Sequence, residues 1–329
     1  MIKVCASKSW SVDVDLEAII LEAIGQIPPG RVATYGDVAM AIGDVKAARA
    51  VGTVIADNPH ANAAPCHRVV NKGGRLGWDG FFSIGAERNL ELLRSEGVQI
   101  DGGVVDLKRS RFTDFKVRPL LQELAREQES MRQEVIEEDT FGELRYVAGI
   151  DVAYSEDRAF GSMVTFDAKS MQKVGERTVE SEIRFPYIPG YLGYREAPIA
   201  RELIDDKEGT IYLIDGQGKL HPRGFGVACQ IGVSLGVPTI GAAKSRLIGR
   251  IERIGGTRSP VTIDGRLAGY QLHLPGRTKV YISVGHRVCL DTAADLCERL
   301  MINGVPEPQR QAHLLATAMR RSYQLEGSK

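Results

Sequence analysis

The sequence predicts two domains: a mainly α-helical helix-turn-helix domain, then an α/β domain with a mixed sheet. Three observations lead there. The chain has 329 residues, long for one domain and comfortable for two. Its first third carries apolar residues at helical spacing, interrupted by glycine turns. The remainder alternates helices with apolar strands, and two of those strands carry carboxylates, Asp151 and Asp215. The boundary falls at 110–113, giving domains of 1–112 and 113–329.

Composition sets limits on what the chain can be. Hydrophobic residues make up 43% and charged residues 26%, ordinary values for a globular protein. The formal net charge is zero, which excludes a global basic field but not a local patch on one face. Cys5, Cys66, Cys229, Cys289 and Cys297 are odd in number and form no Cys-x-x-Cys pair, as in a reducing compartment without disulfides or structural zinc. No apolar run is long enough to span a membrane, and Met1-Ile2-Lys3 does not open a signal peptide. A cytoplasmic monomer is expected.

In chain order, residues 15–27 place Leu16, Ile19, Ile20, Ala23, Ile24 and Ile27 on one helical face, and Pro28-Pro29-Gly30 stops the helix. Residues 31–35 are short and β-prone. A second helical pattern starts at Asp37, a turn follows at Gly43-Asp44, and a third helix of small residues covers 46–56. Arg49 lies in that third helix; in isolation it reads as a solvated arginine. Asn58-Pro59 makes a turn. Pro65-Cys66-His67-Arg68 then sets a cysteine beside an imidazole, the pairing that can activate a thiolate, although most lone cysteines are simply buried. Residues 86–97 are an amphipathic helix ending at Glu96-Gly97, and 97–112 read as a hairpin. Residues 116–138 are helical, charged, and assigned to the second domain.

Residues 145–154 form an apolar strand with Asp151 inside it. A lone buried carboxylate is costly unless it is paired or binds a metal. Further strands at 159–167 and 178–185 fit an antiparallel meander. Between 184 and 198 the sequence reads Arg-Phe-Pro-Tyr-Ile-Pro-Gly-Tyr-Leu-Gly-Tyr-Arg-Glu-Ala-Pro. Pro186 and Pro189 stiffen Tyr187 and Ile188 into an extended, aromatic turn, with Glu196 just beyond it at a loop-to-helix junction. Such a turn is equally a surface loop or a wedge. The strand at 210–214 ends in Asp215-Gly216, the usual active edge of an α/β sheet. His221-Pro222-Arg223, a helix to Gly236, a strand ending before Lys244, strands at 261–264, 268–274 and 279–284, His286, and helices to 300 and 323 complete the chain. Acidic residues on neighbouring strand ends collect oxygen ligands for Mg²⁺.

Residues 27–97 resemble the C-terminal half of an O6-alkylguanine-DNA alkyltransferase. The matches are Pro29-Gly30-Arg31-Val32, Thr34-Tyr35-Gly36-Asp37-Val38-Ala39, Ala48-Arg49-Ala50-Val51-Gly52, Asn58-Pro59 and Pro65-Cys66-His67-Arg68-Val69-Val70. The resemblance implies a winged-helix-like domain that flips an alkylated guanine and moves the alkyl group irreversibly onto Cys66. It implies His67 as base through a water, Glu96 as its orienter, and Asn58 as a partner in the site. Tyr35 would turn the nucleotide and Arg49 would fill the stack. No cofactor is implied. Only a short leader precedes Asp15, so the family's usual N-terminal domain is not expected here, and the loop at 77–82 is longer and more aromatic than usual. Related proteins with tryptophan at the cysteine position bind lesions without transfer, so Cys66 favours transfer.

Residues 146–289 resemble endonuclease V, a ribonuclease H-like nuclease. The matches are Gly149-Ile150-Asp151-Val152-Ala153-Tyr154, Phe185-Pro186-Tyr187-Ile188-Pro189-Gly190, Arg195-Glu196, Asp215-Gly216-Gln217-Gly218, His221-Pro222-Arg223, 241–244 and Val284-Gly285-His286. The resemblance implies Mg²⁺-dependent nicking at the second phosphodiester 3′ to deoxyinosine, with Mn²⁺ as the alternative metal. Asp151, Glu196 and Asp215 would hold the metal, with His286 close by. Lys244 and His221 would contact phosphate or support the site, and Pro186, Tyr187, Ile188 and Pro189 would form the wedge. The partner expected is damaged DNA. Two other readings stay open: a non-transferring lesion-binding module tethered to the nuclease, and a nuclease acting mainly on inosine in RNA.

Overall fold

The computed structural model describes residues 15–58, 64–76, 86–155, 158–205, 207–252 and 256–326. Pro59, Cys5 and the aromatic loop at 77–82 lie outside them. The described chain divides into two compact units, 15–126 with 186–189, and 127–185 with 190–326.

The first unit starts with α1 (Leu16–Gly25), N-capped by Asp15, whose side chain accepts from Ala18 N–H at 3.0 Å. Strand β1 (Ala33–Thr34) leads directly into α2 (Tyr35–Ala41). The start of α2 is fixed by a capping box: Thr34 Oγ1 accepts from Asp37 N–H, and Asp37 Oδ2 accepts from Thr34 N–H at 2.8 Å. Arg111 then donates twice to the Asp37 carboxylate, at 2.6 and 3.1 Å. A short 3₁₀ turn joins α2 to α3 (Ala48–Asp57), completing the helix-turn-helix.

Strand β2 (Val69–Val70) pairs in parallel with β1, Ala33 opposite Val69 and Thr34 opposite Val70. Helix α4 (Ala86–Ser95), the hairpin β3 (Ile100–Asp101) and β4 (Val104–Val105), and α5 (Leu107–Ser110) follow. Val32, Val70, Leu93, Val98 and Val105 form one core beneath them. Helix α6 (Leu120–Met131) is shorter than the 116–138 expected. The unit division falls inside it, between Arg126 and Glu127, so the helix is not wholly part of the second domain. Its first turn is tied to α2's end, Leu121 N–H donating to Ile42 O at 2.8 Å.

The second unit is built on a nine-stranded mixed sheet. Its meander is β5 (Tyr146–Ser155), β6 (Arg158–Asp167) and β7 (Lys173–Glu182). Helix α7 (Leu192–Leu203), strand β8 (Thr210–Ile214), helix α8 (Val227–Leu235), β9 (Thr239–Ala243), β10 (Arg250–Ile251), β11 (Arg258–Ile263), β12 (Arg266–His273) and β13 (Lys279–His286) come next, then α9 (Leu290–Arg299) and α10 (Glu307–Glu326). The strand order is β10-β11-β12-β13-β9-β8-β5-β6-β7, with β5, β8 and β9 parallel.

Side chains alternate across the sheet, so odd and even positions of β5 and β8 serve different layers. Ala148, Ile150, Tyr212 and Ile214 pack with Ala197, Ala200 and Leu203 of α7 and with Ala228 and Ile231 of α8. Val147, Ile211 and Leu213 pack on the other face, with Ala293 and Leu296 of α9. Helix α10 shares that second face. A Cβ at Gly149 would lie 2.2 Å from the backbone of Pro308, so glycine there lets α10 sit directly on β5. Gln309 Nε2 donates to Ala242 O at 2.6 Å, and Ser162 Oγ donates to Ala312 O at 2.7 Å, fixing the helix across the sheet.

Candidate active sites

The β1–β2 pairing brings Tyr35, at the start of α2, towards Cys66, in the 3₁₀ turn just before β2. Cys66 is buried, and Asn58 at the end of α3 donates Nδ2–H to its Sγ at 3.6 Å. Burial pushes the Cys66 thiol up, while the Asn58 and backbone hydrogen bonds pull the other way. Tyr35 rises to about 12, from burial first and the Cys66 sulfur second.

His67 Nε2 stands 2.8 Å from Glu96 Oε1. Burial works against the Glu96 charge, but hydrogen bonds from Arg68, His67 and Gly30 N–H outweigh it and bring the group down to about 2. Glu96 is therefore a carboxylate, an acceptor only, so His67 Nε2 carries the proton it shares with it and Nδ1 faces away from the pair. Sequence reading did not single out Arg68. It donates to Glu96 at 2.6, 2.9 and 3.1 Å and to Ile27 O at 2.7 Å, locking the carboxylate that orients the imidazole. Arg49 is exposed near the N-terminus of α3.

The carboxylates of the second unit meet through register. Ile150 of β5 lies opposite Ile214 of β8, so Asp151 and Asp215 are the next positions on neighbouring parallel strands. Both are odd-numbered, which turns them to the face carrying α10. His313 of α10 completes the group, its Nδ1 3.0 Å from Asp151 Oδ2. Ligand atoms of Asp151, Asp215 and His313 all lie within 4.8 Å of one another. Lys244, just past β9, donates Nζ–H to Asp215 Oδ2 at 2.6 Å. These groups line a groove of about 540 Å³, joined by Tyr154 and by Thr317, Arg320 and Arg321 of α10.

Crowded acids titrate high. Burial and then the Asp215 charge raise Asp151 to about 6, against the pull of Lys244 and His313. Burial, then Asp151 and Asp215, raise Glu196 to about 8. Glu196 lies within α7, not at its start, and accepts from Tyr154 O–H at 3.3 Å. It stands outside the 4.8 Å trio but within electrostatic reach of both aspartates. Two carboxylates that repel each other beside an imidazole, with a third acid behind, suit a divalent cation.

His286 does not join this group. It pairs with Thr239 at the beginning of β9, whereas Lys244 follows its end, about 16 Å away at strand rise. It is buried and held down to about 4, chiefly by burial, and its Nδ1 accepts from Ile136 N–H at 3.2 Å. A neutral imidazole there fastens the segment after α6. His221 is likewise buried, its Nδ1 accepting from Arg223 N–H, which suits support more than phosphate contact. The histidine that does reach the aspartates, His313, gave no signal in sequence beyond lying in an amphipathic helix.

Along the proline turn, Ile188 is fully buried and Tyr187 is 53% exposed. Pro186 is half-buried and Pro189 exposed. Two arginines stake the flanks. Arg195 donates to Phe185 O at 2.9 Å and stacks over Tyr154, and Arg223 donates to Gly190 O and stacks over Tyr191.

Comparison with known proteins agrees with this two-part architecture. The family model for "Endonuclease V" matches residues 129–314, and that for "6-O-methylguanine DNA methyltransferase, DNA binding domain" matches 15–98. A bifunctional methyltransferase/endonuclease of Picrophilus torridus is 36% identical over 94% of this chain and 98% of its own. The protein of the same name from Thermoplasma volcanium is 34% identical over 87% of this chain and 84% of its own. Among solved structures, endonuclease V of Streptomyces avermitilis is 34% identical with TM-score 0.57, covering 62% of this chain and 94% of that one. Ciona intestinalis endonuclease V, in complex with a 24mer DNA containing an inosine followed by a ribo-adenosine, is 26% identical with TM-score 0.56, covering 62% and 98%. Endonuclease V is a metal-dependent nuclease, and Asp151, Asp215 and His313 form a possible metal site here. Among the described residues, no helix is long and apolar enough to cross a membrane. The chain belongs to the endonuclease V family, in the branch where an alkyltransferase DNA-binding domain precedes the nuclease in one bifunctional methyltransferase/endonuclease.

Proposed function

We propose that this is a two-headed DNA repair protein. One head transfers alkyl groups from O6-alkylguanine in DNA to Cys66, once per molecule. The other nicks DNA at the second phosphodiester 3′ to deoxyinosine in a Mg²⁺-dependent reaction. The observation that carries the nuclease reading is the convergence of Asp151, Asp215 and His313 in one groove.

In the first head the Cys66 sulfur attacks the alkyl carbon. The S–C bond forms as the C–O6 bond breaks, and the electron pair leaves with the guanine. The thiol proton passes through a water to His67 Nδ1, and the Glu96 carboxylate stabilises the resulting imidazolium. The thioether has no route back, so turnover is single. Tyr35 and Arg49 would turn and replace the nucleotide, with stacking losses of a few kcal/mol, ~2–4, to offset. In the second head a divalent cation, when bound, stabilises charge on the phosphodiester. Asp151 and Asp215 would hold it with Glu196 behind, Lys244 orients Asp215, and His313 is positioned to carry a proton. Tyr187 fills the space of the displaced base.

Two other readings have an observation each. The buried, high-titrating Cys66 thiol is compatible with a lesion-binding module that does not transfer. The inosine–ribo-adenosine substrate in the Ciona complex favours asking about RNA.

The test uses the full chain with two duplexes. With O6-methylguanine and no metal, the intact mass should rise by one methyl group, mapped to the Cys66 peptide. Tight binding without a mass change would leave only a recognition module. With deoxyinosine and Mg²⁺, a sequencing gel should show one nick at the second 3′ phosphodiester, absent in EDTA. Competition between matched inosine DNA and RNA decides the third reading.

A further inference from the structure

Beyond His313, helix α10 presents two arginines that the nuclease chemistry above does not use. From His313, Thr317 is one turn on and Arg320 and Arg321 two turns on. At 100° per residue the four span an arc of about 100° on one side of the helix. All four line the groove that holds Asp151, Asp215 and Lys244. The ionic groups at the start of α10 are paired. Arg310 is paired to Glu307 at 2.6 Å, and His313 to Asp151 at 3.0 Å. Arg320 and Arg321 have no carboxylate partner among the described residues. The Arg320 Nε is buried without any hydrogen-bond partner. An unsatisfied buried N–H on a permanent cation is expensive unless a ligand completes it. A groove floored with carboxylates and walled by unmatched guanidiniums fits a polyanion that the floor addresses through a cation.

We propose that Arg320 and Arg321 bind phosphodiesters of the strand being cut, a few nucleotides from the scissile one, and so set where that strand lies over the carboxylates. This rests on the nuclease reading above. Seven residues of helix advance about 10.5 Å, and a DNA strand advances about 3.4 Å per nucleotide, so Arg320 meets a phosphate roughly three nucleotides from the scissile position. Arg320 is a positioning residue for the scissile strand. Its planar fork can grip two phosphate oxygens at once.

The experiment measures kcat/KM for nicking of a deoxyinosine duplex by the full chain across a series of KCl concentrations. The alkyltransferase head does not enter this readout, because only productive encounters at the nuclease are counted. One phosphate contact contributes about 0.7–0.9 to the slope of log affinity against log salt. Arg320→Ala should make the slope shallower by that amount and cost about eightfold at 0.1 M salt. Arg320→Ala with Arg321→Ala should roughly double the change in slope. Arg320→Lys keeps the charge and should restore the slope. A purely structural role for Arg320 would lower activity equally at every salt concentration and would not be rescued by lysine. A wild-type slope in the double variant, from a chain that nicks normally, overturns this proposal alone. No nicking by the wild-type chain at any salt overturns the nuclease reading, and this proposal with it.

Discussion

Asp151 Oδ2 and His313 Nδ1 lie 3.0 Å apart although 162 positions separate them in the chain. The contact joins β5, third from one edge of the sheet, to the last helix, α10. His313→Ala should lower nicking about a hundredfold with little change in KM, the loss expected when a proton-transferring group is removed. Asp151→Asn should abolish nicking outright. Both variants should transfer methyl groups to Cys66 at the wild-type rate, and paired mass and nicking assays check this. Loss of both activities together would show that the heads are not independent.

The acidic groove predicts a stabilising cation. Asp151 and Asp215 repel each other, and Asp151 and Glu196 titrate above ordinary carboxylates. A ligand that binds only the folded state stabilises it by about 2.7 kcal/mol at a hundred times its Kd. Thermal melting in Mg²⁺ should exceed that in EDTA, and Asp215→Asn should erase the difference. An equal shift in the variant would place the cation elsewhere.

Glu96 predicts an acid-side stability change in the first unit. Its folded value of about 2 lies below the unfolded carboxylate's. The stability it contributes is present above the unfolded value, about 4.3, and is lost as pH falls towards 2. The full difference is about 3 kcal/mol. Chemical unfolding at pH 6 and pH 3 should show the gap between wild type and Glu96→Gln shrink by about half. A gap that does not narrow would remove the ion pair with Arg68 as its source.

Asn58 donates to the Cys66 sulfur and lowers its pKa against the effect of burial. Asn58→Ala should therefore move the pH midpoint of Cys66 alkylation upward and slow methyl transfer at neutral pH. Iodoacetamide labelling followed by peptide mapping reads the midpoint. An unmoved midpoint would leave Asn58 as packing only.

The arginine stakes of the proline turn predict a substrate-dependent loss. Arg223 holds Gly190 O and also reaches Gln128 Oε1 at 2.7 Å. If the turn parts the strands, Arg223→Ala should depress nicking of duplex more than of single-stranded deoxyinosine DNA. An equal loss on both would argue against a strand-parting role.

Much of this arrangement was legible in residues 30–70 and 145–215. Helical periodicity and Pro28-Pro29-Gly30 mark α1's end, whereas α2 starts at Tyr35, two residues before the expected Asp37, because the Thr34–Asp37 capping box fixes its first turn. Asp151 and Asp215 stood out because a carboxylate within or at the end of an apolar strand needs a reason. His313 did not, because its role depends on which sheet face α10 covers, a tertiary fact set by Gly149 and Gln309. His286 misled for the complementary reason. It follows an apolar strand, as Asp215 does, but β13 runs antiparallel to β9 and ends at the opposite edge of the sheet. Arg68 was hidden by its neighbours, since adjacency to Cys66 and His67 says nothing about reaching Glu96. Helix α6 looked longer because charged residues after Met131 keep a helical composition while the backbone has already turned.

The docking of α10 on β5 has a consequence for synthesis. A growing polypeptide folds from its N-terminal end. Tyr35, Asn58, Cys66, His67 and Glu96 have all left the ribosome long before Glu307 is added. Ala312 and Ala316 of α10 pack with Phe160, Val164 and Phe166 of the sheet. A message broken before codon 307 thus encodes the complete Cys66 constellation, but its carboxylate groove lacks an imidazole and its sheet presents Phe160, Val164 and Phe166 to water.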